Sequence, residues 1–330
     1  MPKASQLEKQ IFSISGPKDF NGKALEIFHY QIRNNPVYSK FVRQLHPGSD
    51  SPENLEHIPF MPVEFFKTQA VKSGVFDPQT TFTSSGTTGR FTSKHYIKSV
   101  KLYESSFMKA FSLFFGDVRQ MVILALLPSY LERSGSSLVF MVRRLIKESE
   151  HPESGFYLDN HEALYHLLKT LKNKGKKVML FGVTFALLDL ADQFPVDFPD
   201  LLIMETGGMK GRRRELTREE VHQKLKMAFQ VDTIYSEYGM TELLSQAYSK
   251  GEGLFSCPPW MKVLVRDIND PFSMMPYGKT GGVNIIDLAN IHSCAFIATQ
   301  DLGRLATDGS FEILGRFDHS DIRGCNLMVI

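Results

Sequence analysis

Cysteine is scarce in this sequence, with three residues among 330, at Cys257, Cys294 and Cys325. They have neither the spacing of a metal site nor the even count of a disulfide framework, and the ten histidines show no HxxxH-type ligand spacing. These absences argue against a disulfide-stapled secreted protein and against a zinc site. They favour a reducing compartment, and we expect the cytoplasm.

An excess of one charge and long apolar runs are also absent. Lys and Arg number 38 against 36 Asp and Glu, so the net charge of +2 provides no basic field to attract nucleic acid. The N-terminal sequence MPKASQLEKQIFSISG lacks the apolar core of a signal peptide, and no later run reaches the roughly 18 to 20 apolar residues that span a bilayer. We therefore expect a protein that is neither exported nor membrane-spanning.

Apolar runs and amphipathic stretches alternate through the middle of the chain. The runs at 121–127, 177–183, 200–206 and 231–237 are typical of buried strands. The stretches at 98–115, 136–149, 161–173 and 214–229 have apolar residues at helical spacing. This alternation predicts an α/β fold with a parallel sheet covered by helices on both faces.

Both ends of the chain depart from this alternation. Residues 24–45 have the spacing of two short helices with a break before Pro36. From about residue 258 short apolar strands follow one another, including CAFIATQ, GRLAT and SFEILGR, and Asp308-Gly309 marks a hairpin. We therefore predict two domains: an α/β core with an N-terminal helical buttress over residues 1–255, and a smaller β-rich subdomain over residues 256–330.

A short polar segment, TFTSSGTTGRFTSK at 81–94, combines hydroxyl side chains, glycines and a lysine. Glycines allow backbone N–H groups to turn toward an anion, and hydroxyls add donors with little bulk, so the segment suits triphosphate oxygens. It lacks the GxxxxGK[ST] spacing of the P-loop. By composition alone, a solvent-exposed connection fits equally well.

A second segment decides between these alternatives. Some 150 residues later a predicted strand is followed by Tyr238-Gly239-Met240-Thr241-Glu242. The pairing resembles the adenylate-forming enzymes, and further motifs of that superfamily occur in the same order: Thr206-Gly207-Gly208, 278–281, 299–303 and 315–318. Within the superfamily the sequence is most similar to the acyl-protein synthetases of bacterial luminescence, in the segments 58–67, 127–133 and 323–325.

This resemblance implies the N-terminal core fold of the adenylate-forming superfamily. It also implies ATP- and Mg²⁺-dependent activation of a long-chain fatty acid to an acyl-adenylate, followed by transfer to a protein cysteine. The expected partner is an acyl-accepting reductase or carrier protein. An acyl- or aryl-CoA ligase, or a non-catalytic nucleotide-binding subunit of an acyl-transfer complex, remains an alternative.

The resemblance also assigns roles to individual residues. The ATP phosphates are expected at Ser84, Ser85, Gly86, Thr87, Thr88 and Gly89. The adenine is expected beside Tyr238, Gly239, Gly207 and Gly208. Thr241 is expected to bond the α-phosphate, Glu242 to hold Mg²⁺, and Asp301 with Arg316 to bind the ribose.

Each of these residues also has an ordinary structural explanation. Thr241 and Glu242 suit the start of a helix, where Thr caps and Glu interacts well with the dipole. Asp301 could be a turn residue, and Arg316 a surface ion-pair partner.

Two features bear on catalysis. Most adenylate-forming enzymes continue beyond the Gly-Arg-x-Asp segment into a mobile domain that carries a catalytic lysine, whereas this sequence ends at Ile330. We therefore expect that domain to be missing. Either another group such as Lys94 or Lys210 neutralises the α-phosphate, or the chemistry is slower or needs a partner. Cys325 could attack the acyl-adenylate as a thiolate, or it could be buried beside the apolar LMVI that follows it, and Cys294 suits the core.

A dense basic cluster, 210–214 with Arg218, completes the sequence features. It could meet coenzyme A phosphate or an acidic partner surface, or it could be the solvated start of a helix.

Overall fold

Helices and strands alternate through most of the chain in the computed structural model, which describes residues 4–45, 50–84, 92–127, 135–158, 160–207 and 216–317. The helices are α1 Ala4–Gln10, α2 Pro17–Asn34, α3 Pro36–Leu45, α4 Phe65–Thr68, α5 Val100–Phe115, α6 Ser137–Ser149, α7 His161–Asn173, α8 Thr184–Gln193 and α9 Arg218–Phe229. The strands are β1 Met61–Pro62, β2 Thr80–Thr83, β3 Lys94–Ile97, β4 Val122–Leu126, β5 Gly155–Phe156, β6 Val178–Val183, β7 Leu202–Thr206, β8 Ile234–Tyr238, β9 Ala247–Ser249, β10 Leu254–Ser256, β11 Met261–Arg266, β12 Thr280–Asp287, β13 Phe296–Leu305 and β14 Phe311–Arg316.

The four amphipathic stretches predicted as helices are confirmed as α5, α6, α7 and α9. Polar side chains fix where they begin: Ser99, Ser136 and Asn160 each accept a hydrogen bond from a backbone N–H of the first helical turn. Thr217 and Glu220 form a reciprocal capping box at the start of α9. Within the described ranges, no helix has both the length and the apolarity required to cross a bilayer.

Two elements differ from the sequence prediction. Helix α8 was missed because Thr184–Gln193 is buried on most sides and therefore lacks an amphipathic stripe. The runs CAFIATQ and GRLAT, predicted as separate strands, form one ten-residue strand, β13. Its continuity follows from its pairings, since β12 runs along most of its length.

Contacts divide the chain into two units. One contains the described residues up to Asp77 together with those from Pro259 onward, and the other is Pro78–Pro258. This grouping differs from the predicted division at residue 255 by placing the N-terminal helices with the strands that follow Pro258. Candidate site residues occur in each unit.

The unit Pro78–Pro258 is built on a mainly parallel sheet. Its strands lie in the order β10-β9-β8-β7-β6-β4-β5, and those from β8 to β5 are parallel. Every residue of β4 and β6 is buried, as expected for a sheet covered on both faces, and α6, α8 and α9 pack on β4, β6 and β8. The predicted α/β core is confirmed, and the carboxyl ends of β7 and β8 meet at one edge.

The other unit combines an antiparallel sheet with the N-terminal helices. Strands β11, β12, β13 and β14 pair in sequence, and β1 adds a short parallel pairing with β13. Gln31, fully buried on α2, donates to the carbonyl oxygens of Asn290 and Ile291, and its own oxygen accepts from the N–H of Ala295. This amide therefore fixes α2 against the connection between β12 and β13.

Candidate functional site

The predicted phosphate loop is carried by the hairpin of β2 and β3. Thr83 pairs with Lys94 where the hairpin opens, and the N–H of Ser93 donates to Ser84 Oγ at 3.0 Å. The hydroxyl of Ser84 thus closes the base of the loop. The other predicted phosphate-binding residues lie outside the described residues: Ser85, Gly86, Thr87, Thr88 and Gly89.

A buried histidine connects this hairpin to the Tyr238–Glu242 segment. His95 Nδ1 lies 2.9 Å from the carbonyl oxygen of Thr241, and because a carbonyl only accepts, Nδ1 must carry the proton. Burial lowers the pKa of His95 to about 4, so its imidazole is neutral at pH 7. Sequence analysis missed His95, since nothing marked it except its position just after the loop.

The Tyr238–Glu242 segment leaves β8 as a turn. The N–H of Leu243 donates to the carbonyl oxygen of Met240 at 3.1 Å, and the residues from Gly239 to Gln246 contain no helix. The alternative that Thr241 begins a helix is therefore wrong. Glu242 is only 5 % exposed, which is unusual for a carboxylate and shows that its position in the turn is specific.

The predicted adenine-side residues lie at adjacent strand ends. Thr206 pairs with Glu237, so Gly207 and Tyr238, the next residues of the two parallel strands, emerge at the same edge. Gly207 has φ 74°, a conformation that glycine adopts without strain. Gly208 lies outside the described residues.

Two carboxylates on β7 and β8 lie next to this edge and were missed by sequence analysis. Glu205 accepts from Thr184 at 2.5 Å and from Ser236 at 3.1 Å, and His222 Nε2 lies 3.8 Å away. Burial acts to raise the pKa of Glu205, but His222 and Thr184 outweigh it, so the net pKa is lowered and the group is ionised.

Glu237 has the opposite character. It accepts a hydrogen bond of 2.5 Å from Thr206 Oγ1, and burial raises its pKa to about 7. A carboxyl group that titrates near neutral pH thus directly precedes Tyr238. Such groups are common at functional sites.

In the other unit, the two predicted ribose-binding residues are in direct contact. Asp301 and Arg316 are opposite each other on β13 and β14, and Arg316 Nε donates to Asp301 Oδ1 at 2.9 Å. The alternative that Asp301 is a turn residue is wrong, because it lies within a strand. Asp301 is buried, whereas the Arg316 side chain is 70 % exposed and can reach a ligand without losing its strand position.

The same unit contains a pocket of about 840 Å³, within the size range of small-molecule sites. Its apolar described lining includes Phe41, Leu45, Ile58, Phe60, Ile268, Phe272, Met274, Ala298 and Phe317. Arg266 at this pocket donates to the carbonyl oxygens of Val283 and Thr299 at 2.9 and 2.7 Å and lies over the Phe317 ring. Those hydrogen bonds hold the guanidinium in place. The lining is mixed, because Glu53, Glu56, His57 and Glu64 line the pocket beside its apolar residues.

The candidate nucleophiles and cations differ in whether the structure describes them and in how exposed they are. Lys94 is exposed on β3, while Cys325 and Lys210 lie outside the described residues. Cys294 is fully buried, as predicted, and burial raises the pKa of its thiol to about 12. Its thiolate is therefore negligible at pH 7.

Comparison with known families gives one match across nearly the whole chain. The model of the family described as "Acyl-protein synthetase, LuxE" matches residues 17–330. The curated proteins include no match to the sequence.

Solved structures of adenylate-forming enzymes share the fold. ATP-bound MatB from Rhodopseudomonas palustris has a TM-score of 0.55 at 14% identity over 72% of this chain and 47% of its own. 2-Hydroxyisobutyryl-CoA ligase with 2-HIB-AMP and CoA has 0.69 at 14% identity, over 97% of this chain and 73% of its own. MenE from Bacillus subtilis with ATP and magnesium has 0.53 at 17% identity, over 72% and 49%. The predicted fold class is confirmed, and the chain spans about half the length of MatB and MenE.

Proposed function

Because the chain belongs to the acyl-protein synthetase family LuxE, we propose that it uses MgATP to convert a long-chain fatty acid into an acyl-adenylate and then transfers the acyl group to a protein cysteine. The observation that carries the proposal is the convergence of Gly207, Tyr238 and the His95-anchored Thr241 at one sheet edge. Parallel sheets bind their ligands at the carboxyl ends of the strands.

In the first step a carboxylate oxygen attacks the α-phosphorus of ATP, and pyrophosphate leaves with the electrons of the broken P–O bond. Thr241 donates to the α-phosphate, the loop that contains Ser85 to Gly89 holds the outer phosphates, and Glu242 supplies a hard oxygen ligand for Mg²⁺. Mg²⁺ would offset the charge of the phosphate oxygens. Lys94 is our candidate for a side-chain cation at the α-phosphate.

We assign the orientation of the nucleotide to two groups of residues, one for the adenine and one for the ribose. Tyr238, Gly239, Gly207 and Gly208 face the adenine, where the glycines leave room for the ring. Asp301 accepts from the ribose hydroxyls, and the exposed Arg316 side chain, bonded to Asp301, orients the adenylate. The direct Asp301–Arg316 contact supports this assignment because both predicted residues meet at one point.

The pocket of about 840 Å³ supports a long acyl chain as substrate. Apolar side chains make up much of its lining, and transfer of methylene groups from water onto such surface is favourable by ~0.8 kcal/mol each. Gln300 and Phe317 line it and are the chain neighbours of Asp301 and Arg316. An acyl chain in the pocket would therefore lead toward the assigned ribose site.

In the second step a thiolate attacks the acyl carbonyl carbon and AMP leaves, giving a thioester. Cys325 is our proposed acceptor, because the buried Cys294 has a thiol pKa of about 12 and is not a useful nucleophile. Onward transfer would go to a reductase or carrier protein. Coenzyme A as the acceptor is the alternative.

The acceptor is tested by incubating the protein with MgATP and radiolabelled fatty acids, then treating the labelled protein with hydroxylamine, which cleaves thioesters. We expect hydroxylamine-sensitive label that is lost in Cys325→Ser and kept in the matched control Cys257→Ser. Label that survives Cys325→Ser would exclude Cys325, and label released only as acyl-CoA upon addition of coenzyme A would support the alternative.

A further inference from the structure

One face of the β8–β9 ladder presents a small polar group next to the assigned adenine site. Glu237 pairs with Tyr248 and Tyr238 pairs with Ala247, so the side chains of Glu237, Gln246 and Tyr248 share a face with Gly239. Glu205 and Ser236 project to the opposite face of the sheet, because side chains alternate along each strand.

A side chain at position 239 is excluded by the neighbouring Glu237 and not by the backbone conformation of Gly239. Its φ lies outside the left-handed region, so an alanine would fit the backbone. A Cβ at this position would overlap Glu237 Oε1 and would lie 3.3 Å from Gln246 Cγ. The Glu237 carboxyl thus occupies the notch that the missing side chain of Gly239 leaves.

The surroundings of Glu237 favour its uncharged form. Burial removes the hydration that an ionised carboxylate needs and so raises its pKa, and this outweighs the opposite effect of the hydrogen bond that Thr206 Oγ1 on β7 donates at 2.5 Å. Glu205 on β7 adds a negative charge across the sheet, which raises the pKa of Glu237 further, and His222 on α9 lies 3.8 Å from Glu205. Tyr248 on β9, near Tyr103 on α5, is buried, and burial raises the pKa of its phenol well above its usual value, so it brings no compensating positive charge to Glu237.

We propose that Glu237 is a positioning residue for the nucleotide-binding segment: its neutral carboxyl fills the Gly239 notch and so sets the backbone path from Tyr238 to Thr241. This inference rests on the proposed function for the identity of the ligand, ATP. An ionised carboxylate needs hydration that the notch does not provide, so ionisation displaces the carboxyl and with it the turn. ATP affinity should then fall as the pH rises through 7.

A double-mutant cycle tests the contact. The variants are Glu237→Ala, Gly239→Ala and the double variant, with Gly155→Ala as a control glycine whose Cβ would meet nothing closer than 3.9 Å. We expect each single variant to weaken MgATP binding at least about tenfold and the double variant to recover to within about threefold of wild type, because the added methyl fills the vacated notch. A Gly239→Ala effect of the same size with and without Glu237 would overturn the proposal.

The proton is tested by the pH profile of MgATP affinity for wild type and Glu237→Gln, measured by calorimetry. Glutamine keeps the shape of the neutral acid, so it should bind like wild type at pH 6 and show no loss at pH 8, where wild type weakens about tenfold relative to it. Titration of MgATP itself cancels in this comparison. The surface variant Asp232→Asn should show the same pH profile of MgATP affinity as wild type. Parallel profiles for wild type and Glu237→Gln would show that protonation of Glu237 does not control MgATP affinity.

The same cycle is measured by thermal unfolding without nucleotide. If no form binds ATP, the proposed function fails, yet the non-additivity of the melting temperatures still decides whether Glu237 and Gly239 are coupled. Additive melting temperatures would overturn the positioning role independently of ATP.

Discussion

His95 should make the folded state sensitive to acid. Its folded pKa of about 4 lies below the ordinary 6.5, so an unfolded chain binds this proton first as the pH falls. Stability contributed by the neutral imidazole is present above pH 6.5 and is lost toward pH 4. By the pKa difference, the loss amounts to roughly 3 kcal/mol.

Urea unfolding of wild type and His95→Asn at pH 7 and pH 4.5 measures this effect. Asparagine keeps a donor for the Thr241 carbonyl but does not titrate, so its stability should fall less between the two pH values. His166→Asn, at a histidine whose side chain is 66% exposed, is the control and should lose as much stability as wild type. An equal acid loss in His95→Asn and wild type would show that the histidine is not held neutral.

From the contact between Asp301 and Arg316 we derive a prediction about ATP binding. Asp301→Asn removes the charge that accepts from Arg316 and that we propose accepts from ribose, and we expect MgATP affinity to fall about tenfold, or ~1.4 kcal/mol. Glu312→Gln provides a matched control, because Glu312 forms an ion pair with Arg304 on the same two strands. Calorimetry should show unchanged affinity for the control, and an equal loss in both variants would point to a general effect on the β13–β14 ladder.

Ala298, Thr299 and Gln300 of strand β13 line the pocket, so a larger side chain there should change chain-length preference. Ala298 is buried and lines the pocket. Ala298→Phe should reduce activity with long-chain acids at least about tenfold while short-chain acids, which do not need the full volume, retain activity.

The measurement is acid-dependent ATP–pyrophosphate exchange over a series of chain lengths. Leu314→Phe on β14, at an exposed leucine, is the control and should leave the preference unchanged. A proportional loss across all chain lengths in Ala298→Phe would place the acyl chain elsewhere.

Helices and strands that are marked by a residue pattern within their own segment could be predicted from the sequence. Those that depend on contacts with distant segments could not. Helices α5, α6 and α7 were predicted because their apolar residues recur at helical spacing, and in the structure a capping Ser or Asn precedes each of them. Helix α8 has no polar face, and its identity depends on being enclosed by neighbouring elements. Thr241 suited a helix start by local rules, yet the chain turns there instead.

The candidate site shows the same division. Motif order predicted that Asp301 would contribute beside Arg316, and the antiparallel register brings them together. His95 and Glu237 were missed because their importance lies in partners on other strands: a carbonyl at Thr241 and a hydroxyl at Thr206. No residue spacing in the sequence encodes either contact.

At the scale of the whole molecule, the grouping of N-terminal helices with C-terminal strands was not predictable. It depends on contacts between residues some 260 positions apart, such as the Gln31 amide with the carbonyl of Ile291. Sequence periodicity reports local geometry and carries no information on such pairings. The α/β fold class, in contrast, was predicted from the sequence, and solved structures share it.

Carboxylate activation is the central claim, and exchange of labelled pyrophosphate into ATP tests it most directly. We expect Mg²⁺-dependent exchange that requires a long-chain fatty acid and falls at least about a hundredfold in Glu242→Gln, since the proposed metal ligand is lost. Exchange does not depend on the final acceptor, so it separates activation from transfer. A protein that binds MgATP but supports no exchange with any carboxylic acid would contradict the account and indicate a non-catalytic nucleotide-binding subunit.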